Sequence, residues 1–156
     1  MVIEDVLKAA FDASGIDGVY YTGTEAMVAK KLTDIASADR YTMVAVVLPI
    51  FETTFANLSG YVNLRLPRVV IATKTQTTDT PAVRLTTTFK PILIPAYETY
   101  MASLAKQAGI IDRDWHLWPK EKWNSYGEIP ATDKVEDVLD AIEVRDIIFR
   151  VDQKIC

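Results

Sequence analysis

The amino-acid sequence predicts an α+β fold: a single mixed β-sheet flanked by helices, in one domain spanning 1–156. Three observations carry that expectation. The first residues have a helical apolar period, a later run is apolar without interruption, and the longest helical pattern follows the strands instead of separating each pair.

Ile3, Val6, Leu7, Ala10 and Phe11 recur at i, i+3, i+4 spacing, the apolar face of a helix, with Glu4, Asp5, Lys8 and Asp12 opposite. Gly15 supplies its stop. Val19 to Tyr21 is a short β-favouring run. Thr22 followed by Glu25 has capping-box spacing for a second helix reaching Ala36 and burying Val28, Leu32 and Ile35. Tyr41 to Ile50 is continuously apolar and valine-rich, the pattern of a strand buried on both faces and central in its sheet.

Tyr61 to Thr75 reads as a further strand, and Pro67 places part of it at an edge or a bulge because proline cannot donate to the ladder. Thr75 to Thr80 has loop chemistry and is expected to project. A helix should start near Pro91 or Pro95, bury Tyr97, Tyr100, Met101 and Leu104, and end at Gly109. From Asp112 to Thr132 the chain is aromatic and aperiodic, an irregular segment packed by Trp115, Trp118, Trp123 and Tyr126. Asp133 and Glu136 suggest a cap for a short helix burying Val135, Val138, Leu139 and Ile142. The last run alternates, with Ile147, Phe149 and Val151 on one face and Arg150 and Asp152 on the other, as a closing strand.

Composition narrows the function classes. A lone cysteine, Cys156, permits no disulfide and no cysteine-based zinc site within one copy, which suits a reducing cytosol. Acidic Glu4 and Asp5 argue against a secretory signal, and the run Met43 to Phe51 is about half of what a membrane span requires. A net charge of −4 argues against nucleic-acid phosphates as partners, with Arg65, Arg68, Lys74 and Arg84 as dispersed positive charges.

No catalytic, cofactor-binding or metal-ligating residue is assigned. The sole histidine, His116, sits between Trp115 and Leu117 with no G-x-S-x-G nearby, so a serine partnership has no support. Asp112, Asp114 and His116 have a D-x-D-x-H spacing that puts three donors on one side of an extended chain, but Arg113 among them points to ordinary surface pairing. Neither G-x-G-x-x-G nor a Gly-Lys-Ser/Thr phosphate loop is present. Glu136, Asp137, Asp140, Glu143 and Asp146 read as a solvated acidic face, or as a contact surface for the Arg65, Arg68 and Arg84 region of another copy.

Three blocks carry a resemblance: F-K-P-I-L-I-P-A-Y from Phe89 to Tyr97, Y-T-M-V-A-V-V-L-P from Tyr41 to Pro49, and D-A-I-E-V-R-D-I-I-F-R-V from Asp140 to Val151. With the N-terminal I-E-D-V-L they resemble a family of small phage and prophage proteins of Bacteroides-type bacteria, whose layout is similar to tail-terminator or head-tail joining proteins. The resemblance implies a tail-terminator-like fold and a non-enzymatic structural protein. It further implies a ring, commonly hexameric, that caps the tail tube and faces the head connector, assembled in the host cytoplasm and carried in the virion. Candidate interface residues are then Arg65, Arg68, Arg84, Glu136, Asp137 and Asp140, paired head to tail between copies. Two other classes stand beside it: a monomeric adaptor or regulatory domain, and a metal-dependent hydrolase using Asp112, Asp114 and His116.

Overall fold

The computed structural model describes residues 2–36, 42–54, 60–76, 79–130 and 137–152. The chain forms an α+β fold around one six-stranded mixed sheet. The elements are α1 (Ile3–Ser14), β1 (Gly18–Thr24), α2 (Glu25–Ala36), β2 (Thr42–Leu48), β3 (Phe51–Thr54), β4 (Tyr61–Gln76), α3 (Pro81–Arg84), a π-helix (Leu85–Leu93), α4 (Ile94–Lys106), a 3-10 turn (Trp115–Leu117), β5 (Glu121–Pro130) and β6 (Asp137–Asp152). Strand order is β1-β2-β4-β6-β5, with β3 also pairing β4; β1 and β2 are parallel and the other pairs antiparallel.

Helix α1 buries all five residues that the period selected, and Gly15 closes it with φ of 71°, a left-handed value that glycine adopts without a Cβ penalty. It packs on α4, where the Tyr100 hydroxyl donates to the Leu7 carbonyl and the Ser103 hydroxyl to the Ala10 carbonyl. Helix α2 buries Val28 and Leu32, and its cap is Thr24, whose hydroxyl accepts from the Met27 amide, not Thr22. The Thr22 hydroxyl instead donates to Val46 of the neighbouring strand. The side chain of Ile35 lies outside the described residues.

β2 is buried along both faces as its unbroken apolarity required: Val44 and Val46 join the core under α1 and α4, while Met43, Ala45 and Val47 face α2. In β4 and β6 the alternation slips at one place. Pairing passes from Leu66–Ile147 to Arg68–Arg145, skipping Pro67 and Asp146, and Asp146 has φ of 53°. Both strands slip together, so Val62, Leu64, Leu66, Val69 and Ile71 and their partners in β6 all point into the same core. The interruption expected at Pro67 is therefore present, in the middle of a long strand.

Three expectations need correction. The C-terminal helix over Val135 to Ile142 is not formed; from Asp137 the chain is β6, while Val135 and Glu136 lie outside the described residues. β6 is buried on both faces, Leu139 and Ala141 toward α2 and Ile142 and Val144 toward α4, and such a strand imitates a helical period. The segment after Asp112 is not irregular throughout, because Glu121–Pro130 pairs with β6 as an edge strand whose register shifts between Ser125 and Ile129.

Helix α4 starts at Ile94 with Pro95 in its first turn and buries Tyr97, Tyr100, Met101 and Leu104, as expected; ahead of it a helical run begins at Pro81, capped by Thr80, and leads into α4 through the π-helix. Pro91 lies inside the π-helix, whose wider turn tolerates a residue with no amide donor. Thr75 does not project: it lies within β4 with 2% of its surface exposed, and residues 77–78 lie outside the described residues.

Candidate functional site

The arginines singled out by the sequence are engaged within the chain. Arg84 is buried and its Nη1 lies 3.4 Å from Oδ1 of Asp140, which is fully buried on the α4 side of β6. Its Nε also donates to the Asp79 carbonyl at 3.0 Å. Arg68 lies on the opposite face of the sheet, bridging Glu25 at the start of α2 and Glu143 of β6; Ser125 of β5 donates to the same carboxylate at 3.2 Å. Arg65 pairs with Asp146 at 2.7 Å, with both side chains nearly half exposed. Asp140 thus faces Arg84 in its own chain and is not a surface charge; Glu136 and the side chain of Asp137 lie outside the described residues.

Asp112, Asp114 and His116 do not converge. Asp112 accepts from Nε and the backbone amide of Arg150 at 2.8 and 2.9 Å, and the Arg150 hydrogen bond is the main cause that holds its carboxyl below the usual range. Asp114 caps the 3-10 turn through the His116 amide, and its Oδ1 lies 3.2 Å from His116 Nδ1. The imidazole is largely exposed and stacks on Trp115 at 3.9 Å between centroids. Among the described residues, no group of three histidine, cysteine or carboxylate side chains is placed to hold a metal ion. Trp118 is the buried ring of this segment, stacked on Phe149.

The surface that sequence reasoning missed lies beyond the slip at Pro67. Helix α2 covers one face of the sheet up to that point, where Val70, Ala72, Leu139 and Ala141 meet Val28 and Leu32. Beyond it, no described helix packs on that face. There Phe51, Arg65 and Ile148 stand side by side across β3, β4 and β6 in one row of the ladder. Phe51 is 46% and Ile148 37% exposed, and the Arg65 guanidinium lies 5.1 Å from the Phe51 ring centroid.

Alongside, the Ile148 amide donates to the Pro119 carbonyl, and a pocket there mixes Ile111, Leu117 and Ile148 with the charged Asp112, Arg113, Asp114 and Arg150. Leu117 is 78% exposed. The available signal was the slip itself, because counting alternation straight through Pro67 sends Phe51, Arg65 and Ile148 to the wrong face. Compared with known proteins, the chain matches no family model, no curated protein and no solved structure.

Proposed function

We propose that this chain is a phage or prophage assembly protein, a tail-terminator or head-tail joining subunit that acts through interfaces with its own copies, the tail tube and the head connector. The reading rests on the resemblance of the Tyr41, Phe89 and Asp140 blocks to that family. The observation that carries it is the Phe51, Arg65 and Ile148 row. Apolar and aromatic side chains beside an arginine are the composition of an interface centre, and here they occupy the part of the sheet that α2 leaves open. A ring closes when one patch meets a different patch under a fixed rotation, and the row supplies the first patch.

Burial of Arg84 and Asp140 inside the chain moves the proposed contact from paired charges to this apolar strip. No described helix is long and apolar enough to cross a membrane, which suits assembly in the host cytoplasm followed by incorporation in the virion. Light-scattering mass on a sizing column, with and without tail tubes, tests the reading. A closed ring, alone or on adding tubes, supports it; a monomer indifferent to both concentration and tubes overturns it.

A further inference from the structure

At the end of the sheet opposite the exposed row, on the face that the π-helix covers, lies a second feature, independent of the assembly reading. The core face of the sheet changes chemistry there without changing shape. Along β4 the inward positions run Val69, Ile71, Thr73, Thr75, and along β2 they run Val46, Val44, Thr42. Across from them, Phe89 and Leu93 of the π-helix give way to Thr88. Valine and threonine are near-isosteres, so packing alone gives no reason for the hydroxyls.

These threonines bound a cleft of about 490 Å3, within the roughly 300–1,000 Å3 range of small-molecule sites. Thr42, Thr75 and Thr88 are each more than nine-tenths buried, no side-chain hydrogen bond among the described residues engages their hydroxyls, and those oxygens are not among the atoms sealed from solvent, so they remain open to the cleft. Hydroxyls that reach solvent only through one cleft are completed by whatever fills it, water or a ligand, and three of them there make its lining rich in groups that both donate and accept. The rim adds the carboxylates of Asp17 and Asp79 and the ammonium of Lys74, and Ile92 gives an apolar wall. Next to Asp17, Gly18 lets β1 approach β2 closely at Thr42, since a Cβ there would come within 2.1 Å of the Thr42 carbonyl oxygen.

We infer that the cleft binds a neutral, hydroxyl-rich small molecule of monosaccharide size. Threonine hydroxyls both donate and accept, as a polyol's own hydroxyls do; the two carboxylates accept from ligand hydroxyls and the ammonium donates. The same carboxylates repel phosphate and other anions. The apolar wall suits the C–H face of a sugar ring.

The test is calorimetric titration of the full chain, in whatever assembly state it adopts, with glucose, galactose, mannose and N-acetylglucosamine, and with inorganic phosphate and magnesium as the other ligand chemistries. Calorimetry is the readout because concentrated sugars stabilise any fold by exclusion. The inference expects saturable binding of at least one sugar, weakened about tenfold or more in Thr75→Val and in the rim variant Asp79→Asn. It also expects Thr75→Val without ligand to melt no lower than the parent, since the lost hydroxyl has no partner among the described residues. Absence of saturable heat with every sugar, binding of phosphate or magnesium instead, or a Thr75→Val protein that melts lower and binds unchanged would each overturn it.

Discussion

Replacing Arg84 by methionine removes one member of a pair whose other member has no route to water. Asp140 is fully buried beside Ile142 and Val144, and the Arg84 side chain is 8% exposed. Methionine fills similar space, so the dominant cost is the loss of the Arg84 charge from beside a buried carboxylate, about 3–5 kcal/mol for a buried pair broken on one side. For a chain of 156 residues that corresponds to a fall in Tm of roughly 6–20 °C. Removing both charges in Arg84→Met/Asp140→Leu should restore most of the loss, because apolar replacement of a buried pair is often neutral or stabilising.

The contrast is Arg65→Met at the exposed Arg65–Asp146 pair, expected to cost under about 1 kcal/mol. Urea unfolding of the parent, Arg84→Met, Asp140→Leu and the double variant gives the cycle directly, with Arg65→Met beside them and the slopes compared to confirm that only the midpoint moves. An Arg84→Met protein within about 1 kcal/mol of the parent, or a double variant no more stable than the single, would refute the reasoning.

Two further outcomes follow from the same contacts. Tyr100→Phe, which deletes the buried hydroxyl that donates to Leu7 between α4 and α1, should cost about 1 kcal/mol in a denaturant melt, and a neutral result would remove that bond from the packing of the two helices. Asp112 has a folded pKa held below its ordinary 3.8 by Arg150, so its contribution is complete above pH 3.8 and is lost as pH falls through the depressed folded value. The stability gap between the parent and Asp112→Asn should therefore be full at neutral pH and narrow on acidification below 3.8, as followed by melts across pH; a gap that does not narrow would contradict the pairing.

The sequence was informative wherever one face of an element meets the core and the other meets water. α1 is the clearest case, its five buried residues all picked out by period. β2 was legible for the opposite reason, since unbroken valines leave no polar face to expose. β6 was misread because it is buried on both faces and carries two buried acids, Asp140 and Glu143, whose partners Arg84 and Arg68 lie on opposite sides of the sheet. Those acids look like a solvated helical face until the strand pairing is known. The exposed row was hidden by the joint slip at Pro67 and Asp146, which depends on two strands nearly eighty residues apart in the chain acting together. The threonine cleft was hidden because Thr75 reads as the start of a loop reaching Thr80, when its β-branched shape and alternation continue β4.

The most direct measurement of the proposed assembly role is light-scattering mass across protein concentration for the parent beside Phe51→Glu and Ile148→Lys, each with and without tail tubes. Both substitutions sit on exposed positions and should leave Tm within a few degrees of the parent. The account predicts a parent ring, formed alone or on tubes, and variants that stay monomeric under the same conditions. A parent that is monomeric throughout, or variants that assemble as the parent does, would contradict it.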